Sequence, residues 1–320
     1  MASLGARLIR TLLSSSSRIP WTAKPRFPSI EEASAWSAKD IRRVIEQRRS
    51  RMEKLARRNP PIQGTVCEGV DAGGVRAEWV ARPEAGQDRA VLYFHGGGYY
   101  AGSAATHRGL ASHISSEADA RLLLIDYRLA PEHPHPAAVE DAARAYRWLL
   151  GQGFSPEKIA MAGDSAGGGL TVAAMLALKA SGDPLPAAGV CLSPWFDLAL
   201  TGESLQAKAS EDPVLRLSDL PFVAQSYLGT ADPRTPTASP LYGDLTGLPP
   251  ILIQVGTDEI LLDDSRRLAE RAGRMGVSVQ LEIWDGMFHV WQAYCRFVPE
   301  ARRAIAQIGE FLQSVWSRSG

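Results

Sequence analysis

The chain has 320 residues, 45% of them hydrophobic and 22% charged, with 35 Lys and Arg balancing 35 Asp and Glu. This length can bury a large core in a single α/β domain, and a formal charge of zero gives no attraction to nucleic acid, an acidic membrane surface or a polyanionic substrate. The three cysteines, Cys67, Cys191 and Cys295, are too few and too scattered for a disulfide framework or a Cys-x-x-Cys metal site. They point to a reducing cytoplasm, and no apolar run is long enough to span a bilayer.

Residues 1–30 contain no Asp or Glu but carry Arg7, Arg10, Arg18, Lys24 and Arg26, with serines at positions 14–17. A basic, serine-rich, acid-free start is the composition of an organellar targeting segment. The favoured reading is an amphipathic helix of the mature protein, with Leu4, Leu8, Leu12, Ile9 and Leu13 on one face. Residues 32–58 are charged and helix-prone, ending at Asn59-Pro60-Pro61. From there, strand-like runs at 75–81, 90–94, 121–125, 159–162, 187–192, 251–255 and 277–283 alternate with helical patterns near 106–118, 137–150, 167–180, 263–275 and 300–316. Short apolar strands alternating with helices predict a mostly parallel sheet covered on both faces. The rhythm breaks at 197–249, where prolines are frequent and no core strand is evident; an insertion of this length is expected to be a functional lid. The predicted organisation is N-terminal cap helices in 1–60, a first core part in 61–196, a cap insertion in 197–249 and a second core part in 250–320.

Four groups of residues carry chemistry. The strand at 159–162 runs into Gly163-Asp164-Ser165-Ala166-Gly167 and then a helix, which is the setting of a nucleophile elbow. The turn is tight enough that glycine flanks it, and the helix N-terminus behind Ser165 offers free N–H groups to a developing anion. A serine hydroxyl needs a base, a carboxylate to orient that base, and donors for the tetrahedral oxyanion. Donors are expected from the amides of Gly97 and Gly98, in His95-Gly96-Gly97-Gly98-Tyr99-Tyr100 after a buried strand, together with Ala166. A phosphate loop would need a following Lys-Ser or Lys-Thr, which is absent.

Among six histidines, His289 lies in a loop after the last predicted strand and is the candidate base. His95 is expected to be structural. His133 and His135 sit in a proline-rich turn without a third ligand, so no metal is expected. The orienting acid should end a strand between Ser165 and His289. Asp258 occupies that place, with Glu259 beside it as an open alternative, and Asp263 and Asp264 are expected to cap the next helix. Aromatic candidates for a substrate wall are Tyr99, Tyr100, Trp195, Phe196, Phe222, Tyr227 and Trp291.

Together, His95-Gly96-Gly97-Gly98, Asp126-Tyr127-Arg128-Leu129-Ala130-Pro131-Glu132, Gly163-Asp164-Ser165-Ala166-Gly167-Gly168 and the Asp258 and His289 surroundings resemble the hormone-sensitive-lipase-like family of α/β-hydrolase carboxylesterases. The resemblance runs from about Ala90 to the C-terminus. It implies an eight-stranded α/β-hydrolase core, a helical cap, and hydrolysis of small apolar esters without cofactor or metal. Ser165, Asp258 and His289 then match nucleophile, acid and base, with Gly97, Gly98 and Ala166 as oxyanion donors. Many relatives have Asp-Pro-Leu at the acid. Here Asp258-Glu259-Ile260-Leu261 looks like the bacterial branch with monoterpene ε-lactone hydrolases, so a lactone joins the small esters as an expected substrate. Arg128 and Glu132 are expected to hold the turn under the glycine loop. A homodimer is compatible with the family. The rival readings are an amidase or peptidase using the same residues, or a non-catalytic small-ligand receptor on this scaffold.

Overall fold

A computed structural model describes residues 2–16, 27–29, 32 and 35–318. Part of the serine run, together with Arg18, Lys24 and Arg26, lies outside the described residues. Eight strands form one sheet: β1 (Val66–Asp71), β2 (Arg76–Ala81), β3 (Ala90–Phe94), β4 (Arg121–Ile125), β5 (Ile159–Asp164), β6 (Ala188–Leu192), β7 (Ile251–Gly256) and β8 (Val279–Trp284). Their order is β1-β2-β4-β3-β5-β6-β7-β8, with β1 and β2 antiparallel at one edge and every pair from β4 onward parallel. The central strands β3, β5, β6 and β7 are buried at every position. That is why they read as unbroken apolar runs rather than alternating ones.

The helices are α1 (Leu4–Ser16), α2 (Ala38–Ala56), α3 (Ala104–Ala118), α4 (Ala137–Gly151), α5 (Ala166–Ser181), α6 (Ser204–Ala207), α7 (Leu220–Leu228), α8 (Leu262–Arg274) and α9 (Pro299–Ser317). Two apolar layers sandwich the sheet. One holds α4, α5 and α8 residues such as Tyr146, Leu170 and Leu268; the other holds α3 and α9 residues such as Ile114, Ile305 and Leu312. The 197–249 insertion holds α6, α7 and two short 3-10 turns, and no strand lies among its residues. Ion pairing ties it to the N-terminal helices: Arg48 of α2 meets Asp219 at 2.9 Å, and the Arg48 guanidinium lies 3.8 Å over the Phe27 ring.

Several local expectations are corrected. Residues 66–71 form a strand that periodicity did not indicate. Helix α1 forms, but its leucines divide: Ile9 and Leu13 pack inward, whereas Leu4, Leu8 and Leu12 face out. Arg128 and Glu132, expected to hold the turn under the glycine loop, do so through separate partners. Arg128 binds Asp141 and Glu140 on α4, and Arg49 from α2 links Glu132 to the Tyr100 and Ala130 carbonyls. Asp263 and Asp264 do not cap α8. Asp263 accepts from the Ser204 amide, and the buried Asp264 accepts from the Phe196 and Asp197 amides. Burial and the nearby Asp197 charge push the Asp264 carboxyl up to about 8.

Candidate active site

The parallel register brings the chemistry to one sheet edge. Phe94 pairs with Gly163, Leu192 with Gln254, and Gly256 with Trp284. The loops after β3, β5, β6, β7 and β8 therefore emerge side by side at the carboxyl ends of the strands.

Ser165 stands between β5 and α5 with φ 54° and ψ −120°. This left-handed conformation is costly for a residue with a Cβ, and its cost of order 1–3 kcal/mol is sustained by the surrounding structure. The Ser165 amide donates to Leu192 O at 2.8 Å, and its carbonyl accepts from Trp195 N and Gly169 N. A side chain on Gly163 would strike the Gly167 carbonyl, and one on Gly167 would strike the Phe94 carbonyl. The two flanking glycines are therefore required by close backbone approach.

His289 joins two loops. Its Nε2 lies 2.9 Å from Ser165 Oγ and its Nδ1 lies 2.9 Å from Glu259 Oε2. A carboxylate only accepts, so Nδ1 carries the proton and Nε2 is free to accept from the serine hydroxyl. All three residues are buried. Burial opposes a charge on His289, but the hydrogen bond and charge of Glu259 outweigh it, and the imidazole is held above its ordinary range. Burial also raises Glu259, against the pull of His289 and the Gly256 amide.

The acid expected from sequence is therefore corrected: Asp258 does not reach His289. The turn after β7 fixes the alternation. Asp258 N donates to Met287 O at 3.0 Å, while its carboxylate turns outward to Arg10 of α1 at 2.5 Å and to Thr257 Oγ1 at 3.1 Å. Glu259 turns inward, and its second oxygen accepts from Gly256 N at 2.7 Å and Ser193 Oγ at 2.8 Å. Ser193 was not singled out from sequence. Its hydroxyl also accepts from Val290 N at 3.0 Å, so one buried side chain braces both the carboxylate and the histidine loop. Ser193 too has a left-handed φ of 44°.

The glycine loop lies against the elbow. Gly97 and Gly98 have φ of 121° and 61°, and a side chain on Gly96 would strike the Asp164 carboxylate. Asp164 Oδ1 accepts from Gly96 N at 3.0 Å and Tyr93 OH at 2.8 Å, and His107 Nε2 lies 3.4 Å away. Beneath the loop, His95 stacks on Tyr127 at 4.2 Å, and its Nδ1 lies 2.8 Å from Gly96 O, a packed structural role. Among the described residues, no hydrogen bond is made by the amides of Gly97, Gly98 and Ala166.

The aromatic residues expected along a substrate wall sit in different surroundings. Tyr99 is buried and stacked 3.7 Å from Tyr227; Trp195 and Phe196 belong to the hydrophobic core, and Trp291 packs on Trp284 behind the histidine loop. Tyr100 remains near the glycine loop, with Phe27 edge-on at 5.1 Å and Phe222 stacked on Phe27 at 4.9 Å. Val223 of α7 was not singled out. A Cβ placed on Gly98 would stand 2.9 Å from Val223 Cγ1, so this α7 residue roofs the loop.

A family profile described as alpha/beta hydrolase fold matches residues 91–293. The chain belongs to this α/β-hydrolase family, and within it groups with bacterial esterases of the hormone-sensitive-lipase type. It is 51% identical to an acetyl-hydrolase of Streptomyces hygroscopicus over 77% of this chain and 82% of the relative. It is 37% identical to an esterase of Acinetobacter venetianus over 86% of this chain and 88% of that one. A solved esterase from the bacterial hormone-sensitive lipase family superposes with TM-score 0.88 at 46% identity, covering 99% of both chains. An esterase/lipase from an uncultured bacterium superposes with TM-score 0.89 at 41% identity, covering 99% of this chain and 100% of that one. No helix among the described residues is long and apolar enough to cross a membrane.

Proposed function

We propose that the protein hydrolyses small carboxylic esters with an apolar acyl group through a covalent acyl-enzyme on Ser165. The observation that carries this reading is the continuous chain from Ser165 Oγ through His289 to Glu259, each link 2.9 Å long. His289 Nε2 takes the hydroxyl proton as Oγ attacks the acyl carbon. Glu259 holds the Nδ1–H tautomer and stabilises the imidazolium that results. The carbonyl oxygen becomes an oxyanion held by the Gly97, Gly98 and Ala166 amides, each such donor contributing about 2.7–4 kcal/mol in the transition state. Collapse expels the alcohol with the proton from His289. Water then enters, gives a proton to His289, attacks the ester, and releases the acid while the proton returns to Oγ.

The test is turnover of p-nitrophenyl esters of increasing chain length beside a small lactone and a p-nitroanilide. Hydrolysis of acetate and butyrate esters is expected. Activity on the anilide at rates comparable to the esters would favour the amidase reading, and no turnover by folded protein would favour the receptor reading. Because Val223 roofs Gly98, Val223→Ala should shift preference toward longer acyl chains, raising the octanoate-to-acetate ratio of kcat/KM by about tenfold. An unchanged ratio would place the acyl group elsewhere.

The pH dependence follows from His289. The base works only when neutral, and its pKa is held above the ordinary ~6.5. The rate kcat/KM should therefore be full above that pKa and fall as pH drops through it, with a midpoint above ~6.5. A profile that stays flat down to about pH 5 would remove His289 from the base role.

A further inference from the structure

Helix α1 is docked on the fold by one face only. Ala6 is buried, the Ser3 amide and hydroxyl each bind Glu300 at 2.7 Å, and Arg10 pairs with Asp258. The opposite face carries Leu4, Leu8 and Leu12 at successive i, i+4 positions, exposed to 76%, 60% and 57%. Phe297, 56% exposed, lies directly beneath this helix, since a side chain on Gly5 would strike its carbonyl. A row of exposed leucines on an anchored helix plays no part in holding that helix to the core. A contiguous exposed apolar row of this kind is the composition of an interaction surface.

Charge identifies the partner. The neutral total hides an uneven distribution: residues 1–60 hold fourteen Lys and Arg against five Asp and Glu, and residues 1–30 hold five cations and no acid. Arg7 is exposed on α1, and Arg296 and Arg302 are exposed on the segment below it. Of the carboxylates on this side, Asp258 and Glu300 are engaged by α1 itself and Glu211 by Lys208, and Asp285 also has a partner. Two-fold pairing of the stripe with a second copy would bring the exposed Arg7, Arg296 and Arg302 of both copies together. An anionic lipid surface supplies both requirements, phosphates for the arginines and an apolar boundary for the leucines.

We propose that the outer face of α1 seats the protein on an anionic lipid surface, lying in the interface plane with Leu4, Leu8 and Leu12 entering the headgroup–acyl boundary. The reading is independent of the chemistry at Ser165. The test is flotation of the full chain with vesicles of phosphatidylcholine alone and of phosphatidylcholine mixed with phosphatidylglycerol. Co-flotation with the mixed vesicles is expected, weaker at high salt and with phosphatidylcholine alone. The variant Leu4→Ser/Leu8→Ser should lose at least about tenfold in partitioning while keeping p-nitrophenyl butyrate turnover unchanged. Arg7→Gln should reduce binding to the mixed vesicles alone. Wild type that stays in solution with anionic vesicles at low salt, or a double variant that floats equally well, would overturn the proposal. So would light scattering that finds a dimer dissociated by Leu4→Ser/Leu8→Ser, which would assign the stripe to a second copy.

Discussion

Glu259→Gln is expected to lower kcat about 10⁴-fold at neutral pH, whereas Asp258→Asn should change it by less than about tenfold. A glutamine in place of Glu259 can present its NH₂ to the imidazole. The ring then favours the tautomer with its proton on Nε2, which can no longer accept from Ser165 Oγ. The charge that stabilises the imidazolium is lost as well. Asp258 sits one residue earlier but meets Arg10 and Thr257 rather than His289, so its charge acts on α1 rather than on the base. Steady-state kinetics of both variants with p-nitrophenyl butyrate separate the two carboxylates. If Asp258→Asn carried the large loss and Glu259→Gln the small one, the orienting role would return to Asp258.

Ser165→Ala should lower kcat by about 10⁶-fold, because the hydroxyl is the attacking atom and no other group can form the acyl intermediate. The fold should survive, since the elbow is held by the Ser165 amide and carbonyl, which alanine retains. The left-handed φ of 54° is set by those backbone bonds and by the close approach of Gly163 and Gly167. A thermal unfolding midpoint close to wild type, together with lost turnover, would locate the effect in chemistry.

The strands that carry the nucleophile and the glycine loop were readable because they are buried on both faces. Strands β3 and β5 gave apolar runs whose glycine-bounded ends marked the loops that hold Gly97, Gly98 and Ser165, whereas His289 follows the partly exposed β8 and was legible from chain order. Strand β1 was not readable. Val66–Asp71 is exposed or half-buried throughout and is held by backbone pairing with β2, which leaves no apolar period in the sequence. The choice between Asp258 and Glu259 depended on which way a turn rotates two adjacent carboxylates. That rotation is fixed by bonds from Met287, Gly256 and Ser193, residues distant from or silent in the local pattern. The aromatic residues followed the same logic. Trp195, Phe196 and Trp291 flank the motifs in sequence, yet packing draws them into the core. Val223 of α7 reaches the glycine loop from a segment with no periodic signal.

The most direct measurement is stoichiometric labelling of the wild type with a p-nitrophenyl alkylphosphonate, which stalls as a stable adduct at an attacking serine. It would be followed by peptide mass mapping, with Ser165→Ala alongside. One equivalent of p-nitrophenol released, one adduct on the peptide bearing Ser165, and neither in the variant is the expected result. A label on another residue, or ester turnover that survives in Ser165→Ala, would contradict acyl transfer at this serine.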